Sequence, residues 1–337
     1  MELKIVATCT TPLLQIENSD TFNGVPKVFC KKKECIEDGK IGSYPYYSGN
    51  GWRGLLHREI GDLVMMKALE KGIKLDATNV HILLAGGGSN FQEQPINIAN
   101  KVRELNPIAS VFGVSLAIEG KLMITDLEPT NKMWRNSATG DTMYSGLVRT
   151  KTYVKKDDIL SATKYARILS EEDILAWQED NQDVQEQRSD ERGEEGKLKS
   201  KTKKLSIQAY NALEYIVPGT QLVGYIGAKY PLTDIEKGML LVGVERMLQK
   251  QIGSTTSRGF GVMEYSIQRE DESSMLEIMS ASKNSNNIYK PISEIKLDKN
   301  DIACKEAFYA WLENIGEENI LLSKTLFVKK DKEDKKK

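Results

Sequence analysis

The chain has 337 residues, enough to bury a full core as one large domain or two modest ones. Its 47 Lys and Arg residues balance 48 Asp and Glu residues, so a uniformly basic surface is excluded and any nucleic-acid site must be a local patch. No segment has the long apolar run of a membrane helix, and MELKIVATCTTPLL is too polar for a secretory signal, which leads us to expect a reduced, cytoplasmic protein with no membrane partner.

In chain order, Glu2 to Thr11 alternates and is rich in Ile, Val and Thr, which predicts a first strand ending at Thr11-Pro12. Residues 15–42 are polar and glycine-punctuated and read as a long functional excursion. Ser43 to Glu59 follows, SYPYYSGNGWRGLLHRE. Tyr44, Tyr46 and Tyr47 favour strand, Ser48-Gly49-Asn50-Gly51 supplies a turn and an N-cap, and Leu55, Leu56 and Ile60 begin a helical spacing from Trp52. A helix N-terminus of this kind favours an anion, and Arg53 and Arg58 add positive charge close by, which suits a phosphate. Equally, the glycines alone could serve the turn while Arg53 makes a surface ion pair. His57 reads as a helix-surface or partly buried histidine. The helix is expected to end near Lys71-Gly72.

Gly86-Gly87-Gly88, after the apolar run Val80 to Leu84, lacks a dinucleotide-binding fingerprint and reads as a flexible turn. A helix is expected from Pro95 to Leu105, stopping at Asn106-Pro107. Two strand-like runs, Ser110 to Ile118 and Lys121 to Asp126, come next.

Residues 129–207 change character. Arg135, Arg149, Lys151, Lys155, Lys156, Lys164 and Arg167 interleave with Trp134, Tyr144, Tyr153 and Tyr165, a pattern that reaches phosphates and stacks on bases but also describes a solvated face. An acidic run, Glu171 to Glu195, and a basic run, Lys197 to Lys204, make 178–204 a flexible charged segment. Beyond it, ALEYIVPGTQLVGYIGAKY predicts two strands about a Pro218-Gly219 turn. Thr233 and Glu236 form the capping box of a helix reaching Gln251. Gly253 to Gly261 then combines Thr255, Thr256, Ser257, Arg258, Gly259 and Phe260 into a backbone cradle for a sugar-phosphate chain, followed by a strand from Val262. Another strand and a helix near Cys304 to Ile315 follow, and 329–337 is a disordered tail. Cys30, Cys35 and His57 are loosely spaced for zinc, so no metal and no cofactor are expected.

These landmarks, in this order, resemble the RAMP superfamily, and within it the backbone subunit of CRISPR effector complexes, the seventh-numbered Cas protein family. The resemblance rests on Thr11-Pro12-Leu13; on Tyr47-Ser48-Gly49-Asn50-Gly51-Trp52-Arg53-Gly54-Leu55-Leu56; on Val111-Phe112-Gly113 with Gly120-Lys121-Leu122 and Asp126; on Val217-Pro218-Gly219; and on Gly253 with Arg258 to Gly261. It spans roughly residues 1 to 267 and looks most like the type IV backbone subunit. It implies an α+β fold, a modified ferredoxin-like (RRM-like) palm over 1–128 and 208–328, with an early loop insertion at 15–42 and a thumb at 129–207. It further implies a non-catalytic, guide-RNA (crRNA)-binding subunit that oligomerises along the spacer RNA beside other CRISPR effector subunits and a complementary target nucleic acid. RNA contacts would fall to Ser48, Gly49, Asn50, Trp52, Arg53 and Arg58, to Arg149, Lys151 and Lys155, and to Thr255 through Phe260. Type III relatives use an early aspartate for metal-dependent cleavage of bound target RNA. Asp20 lies in that neighbourhood, but ENSDTFNG departs from their pattern, which leaves a same-fold endoribonuclease as the alternative.

Overall fold

The structure, a computed structural model, describes residues 2–22, 25–37, 40–87, 93–130, 134–135, 142–143, 148–152, 212–271, 274–283, 289–291 and 296–326. The first strand, β1 (Glu2–Cys9), buries Leu3, Ile5, Ala7 and Cys9 on one face and leaves Lys4, Val6 and Thr8 half-covered on the other, the period of two that its sequence predicts.

The excursion carries strands in place of the expected loop: β2 (Ile16–Phe22), β3 (Val25–Cys30), β4 (Lys32–Glu37) and β5 (Lys40–Pro45). The last two form an antiparallel hairpin, with Lys33 opposite Tyr44. Asp20, expected to cap a loop, falls within β2.

Helix α1 (Gly49–Glu70) starts three residues before the expected Trp52, because Ser48 takes the N-cap position with its side chain accepting from Gly51 N–H. Its buried stripe is Trp52, Leu56, Ile60, Val64 and Ala68, a spacing of four that lays one face on the sheet. Helices α2 (Ala77–Ala85) and α3 (Ile96–Leu105) follow.

The expected strand from Ser110 to Ile118 is a helix, α4 (Pro107–Phe112), followed by a 3-10 turn at Ser115–Ala117. The cause is local: Asn106 Oδ1 accepts from the amides of Ile108 at 2.8 Å and Ala109 at 3.0 Å, and Pro107 stands at the first helical position. Asn106-Pro107 thus ends one helix and begins another.

After the short strands β6 (Leu122–Ile124) and β7 (Glu128–Pro129) come β8 (Trp134–Arg135), β9 (Thr142–Met143) and β10 (Val148–Thr152). The next described elements are β11 (Ala212–Ile216), β12 (Gln221–Ala228) and helix α5 (Asp234–Met247). The capping box of α5 is present: Thr233 Oγ1 accepts from Glu236 N–H at 3.2 Å, and Glu236 Oε2 accepts from Thr233 N–H at 2.8 Å. Strands β13 (Met263–Asp271), β14 (Ser274–Lys283) and β15 (Tyr289–Pro291) precede helix α6 (Lys299–Glu313).

The main sheet runs β15-β14-β13-β1-β12-β6, with β7 also on β12 and every pairing antiparallel. Its centre, β13-β1-β12-β6, places the fourth, first, third and second strands of a β-α-β-β-α-β unit side by side, with α1 and α5 as the two helices. That is the ferredoxin-like arrangement. Leu3 and Ile5 from the sheet join Leu56 and Ile60 of α1 and Met239 and Val244 of α5 among the fully buried side chains.

The chain divides into two compact units, one of residues 1–17, 30–149 and 215–337, the other of 18–29 and 150–214. In the second unit β11 pairs in parallel with β3, Ala212 opposite Lys27. Among the described residues no helix is long and apolar enough to cross a membrane.

Candidate nucleic-acid interface

The two glycine-rich stretches, 200 residues apart in sequence, are joined in the first unit through Pro12 to Gln15. Gln15 holds the first stretch, its Nε2 donating to Ser48 Oγ at 2.7 Å and its Oε1 accepting from Ser48 N–H at 2.6 Å. Leu14 and Pro12 hold the second: Leu14 O accepts from Ser254 N–H at 2.6 Å, and Pro12 O accepts from Gly261 N–H at 2.8 Å. A direct link completes the assembly, the hydroxyl of buried Tyr47 accepting a hydrogen bond from the Gly253 backbone. Burial pushes that phenol's pKa up, against the smaller opposing effect of the Gly253 bond, and keeps it protonated.

Backbone shape explains two of the glycines. Gly253 has φ +88° and Gly261 φ +77°, in the left-handed region. A Cβ at Gly261 would stand 1.7 Å from Ile252 O, and one at Gly253 would stand 2.5 Å from Leu14 O. Only glycine lets the loop fold back on the 12–15 segment.

At the start of α1 the geometry departs from the expected phosphate cradle. The Gly49 amide donates to the Asp126 carboxylate, and the Gly51 amide donates to Ser48 O at 2.9 Å and Ser48 Oγ at 3.2 Å. The anion favoured at this helix terminus is supplied by the chain itself. Asp126 also pairs with Lys33 at 2.5 Å, and Lys33 reaches Glu128 at 2.6 Å. Burial works against the Lys33 ammonium, but its hydrogen bonds to the two carboxylates outweigh it and raise its pKa. Trp52 is 1% exposed and donates its indole N–H to Thr125 O at 2.9 Å, so it packs beneath the turn and offers no ring face to a base.

The remaining residues at this end divide by exposure. Ser48 and Gly49 are buried, whereas Asn50 and Arg58 are exposed. Arg53 is half-buried, donating to Phe112 O at 2.5 Å with its guanidinium 5.8 Å from the Phe112 ring centre. Beside it His57, placed on the surface or partly buried by sequence reasoning, is 3% exposed and stacked on Phe112 at 4.3 Å between ring centres. Burial and then the Arg53 charge push its pKa down to about 3, so the imidazole is neutral.

In the second stretch Thr255 adopts φ +59° and opens a 3-10 turn, Thr256–Arg258. Thr255 and Thr256 are half-buried, and Ser257, Arg258 and Gly259 are exposed. Phe260 is half-buried, edge-to-face with Tyr215 at 6.1 Å. The exposed groups are a hydroxyl, a guanidinium and backbone, which suit phosphate and sugar contacts without base readout.

No family model and no curated protein matches the chain. Among solved structures, the chain is similar to one from a CRISPR assembly. This is a chain of a "Type IV-B CRISPR Complex", 14% identical, aligned over 82% of this chain and 94% of that chain, with a TM-score of 0.46.

Arg149 and Lys151 fall on β10, away from these contacts in sequence, and Lys155 lies outside the described residues. Among the described residues no group of three or more His, Cys, Asp or Glu side chains is arranged to hold a metal ion. Sequence reasoning gave no role to Gln15, Asp126 or Phe112. Asp126 and Phe112 stand in the motifs that carry the resemblance, which was the available signal; Gln15 had none.

Proposed function

We propose that this chain is a non-catalytic backbone subunit of a CRISPR effector complex, gripping guide RNA through its sugar-phosphate chain and stacking with further copies of itself along it. One observation carries the reading. The Ser48–Arg53 and Gly253–Gly261 stretches, which the sequence resemblance singles out, are hydrogen-bonded to one four-residue segment, and Asn50, Arg58, Ser257 and Arg258 are exposed along them. A fixed backbone with dispersed positive charge and small hydroxyls holds RNA irrespective of its sequence, as a guide-bearing subunit must.

Partners on this reading are crRNA, a complementary target, sister copies and other effector subunits. The test is to purify the full chain co-expressed with a CRISPR array and sequence the RNA it retains. Discrete array-derived RNAs are the expected result. A protein that stays free of nucleic acid even when supplied with guide RNA and partner subunits would overturn the proposal.

A further inference from the structure

Arg53 and His57 share a pocket of about 300 Å³, also lined by Gly86, Gly87, Phe112 and Gly120. Among the described residues Arg53 meets only the neutral carbonyl and ring of Phe112 and the neutral His57, and no carboxylate is ion-paired with it. Glu119, the acid on the pocket wall, is paired with Lys229 at 2.9 Å. A guanidinium partly withdrawn from water without a counter-charge favours an anionic ligand. His57 supplies the second half. Its imidazole is hydrogen-bonded to the backbone of Ile82, while its Nε2 is buried with no partner. With Nδ1–H donating to that carbonyl, the neutral ring leaves an Nε2 lone pair waiting for a donor. Arg53 and His57 thus set an anion-binding donor beside a neutral acceptor. A nucleic-acid backbone offers the matching pair, an anionic phosphate beside a hydroxyl donor, only when its sugar is ribose.

We propose that this pocket takes one ribonucleotide of a bound RNA, with Arg53 moving from Phe112 O onto its phosphate and His57 Nε2, closed off from solvent in the unbound chain, uncovered to accept a hydrogen bond from its 2′-hydroxyl. The inference rests on the RNA-binding reading and adds to it a residue that distinguishes RNA from other backbones. Phe112 serves as the platform that fixes the imidazole.

The test compares binding of an oligoribonucleotide and its 2′-fluoro counterpart of the same sequence, which keeps the RNA sugar pucker but cannot donate. The wild-type chain should bind the ribonucleotide form roughly three- to tenfold more tightly, the worth of one such hydrogen bond. His57→Phe, which keeps a ring on Phe112, should remove that gap by weakening the ribonucleotide complex alone. The imidazole nitrogen resonance of His57 in the unsubstituted chain is a second measurement that needs no variant, and it should move with RNA but not with the 2′-fluoro form. A gap that survives in a folded His57→Phe chain, or a resonance that moves equally with both, would overturn the inference while leaving RNA binding intact. A wild-type chain that binds neither oligonucleotide would overturn both readings.

Discussion

Gln15 grips Ser48 with both ends of its amide, at 2.7 Å to the hydroxyl and 2.6 Å from the backbone N–H. Ser48 is in turn the N-cap of α1, so the segment after β1 sets the position of the helix that carries Arg53.

Replacing Gln15 by Ala leaves the buried Ser48 amide without an acceptor and frees the cap. The expected loss is about 1–3 kcal/mol of stability, read as a lower denaturant midpoint. An unchanged midpoint would show that the turn holds itself without Gln15.

Two glycines in the second stretch separate strain from collision. Gly259 has φ +83° and open space where a Cβ would go, so Gly259→Ala should cost about 1–2 kcal/mol from backbone strain alone. Gly261→Ala adds a direct clash with Ile252 O and should cost about 3 kcal/mol or more. Thermal melting of both variants decides it; equal losses would mean the loop relaxes away from Ile252.

His57 makes acid stability a local measurement. Its pKa in the folded chain is about 3 against an ordinary 6.5. Between those values the unfolded chain holds a proton that the folded chain does not. Stability is therefore complete above pH 6.5 and falls as the pH drops below it, by about 1.4 kcal/mol per pH unit from this residue. From pH 6.5 to about 5, His57→Phe should show a shallower decline than wild type in denaturant unfolding. Parallel curves would mean that His57 is solvated in the folded chain.

What the sequence made legible follows physical range. Caps and turns are local chemistry, so Ser48, the Thr233–Glu236 box and the glycine loop could be read directly, and the order of elements around β1, α1, β12, α5 and β13 came with them. The Pro107–Phe112 helix was missed because a short apolar run has no period long enough to separate strand from helix. The strands from Ile16 to Glu37 were hidden by polar, lysine-rich sequence that lacks clean alternation, whereas the aromatic end of β5 at Tyr44 was legible as strand. At the site, the reach of Asp126 to the Gly49 amide and the burial of His57 against Phe112 depend on residues far apart in sequence, which one chain does not reveal.

The most direct test is RNA retention by the full chain carrying Arg53→Ala and Arg258→Ala together, compared with wild type at physiological salt, with melting temperatures to confirm that both are folded. Loss of two phosphate contacts per copy should reduce affinity at least tenfold and flatten its salt dependence. A folded double variant that keeps full RNA affinity with an unchanged salt slope would contradict the account.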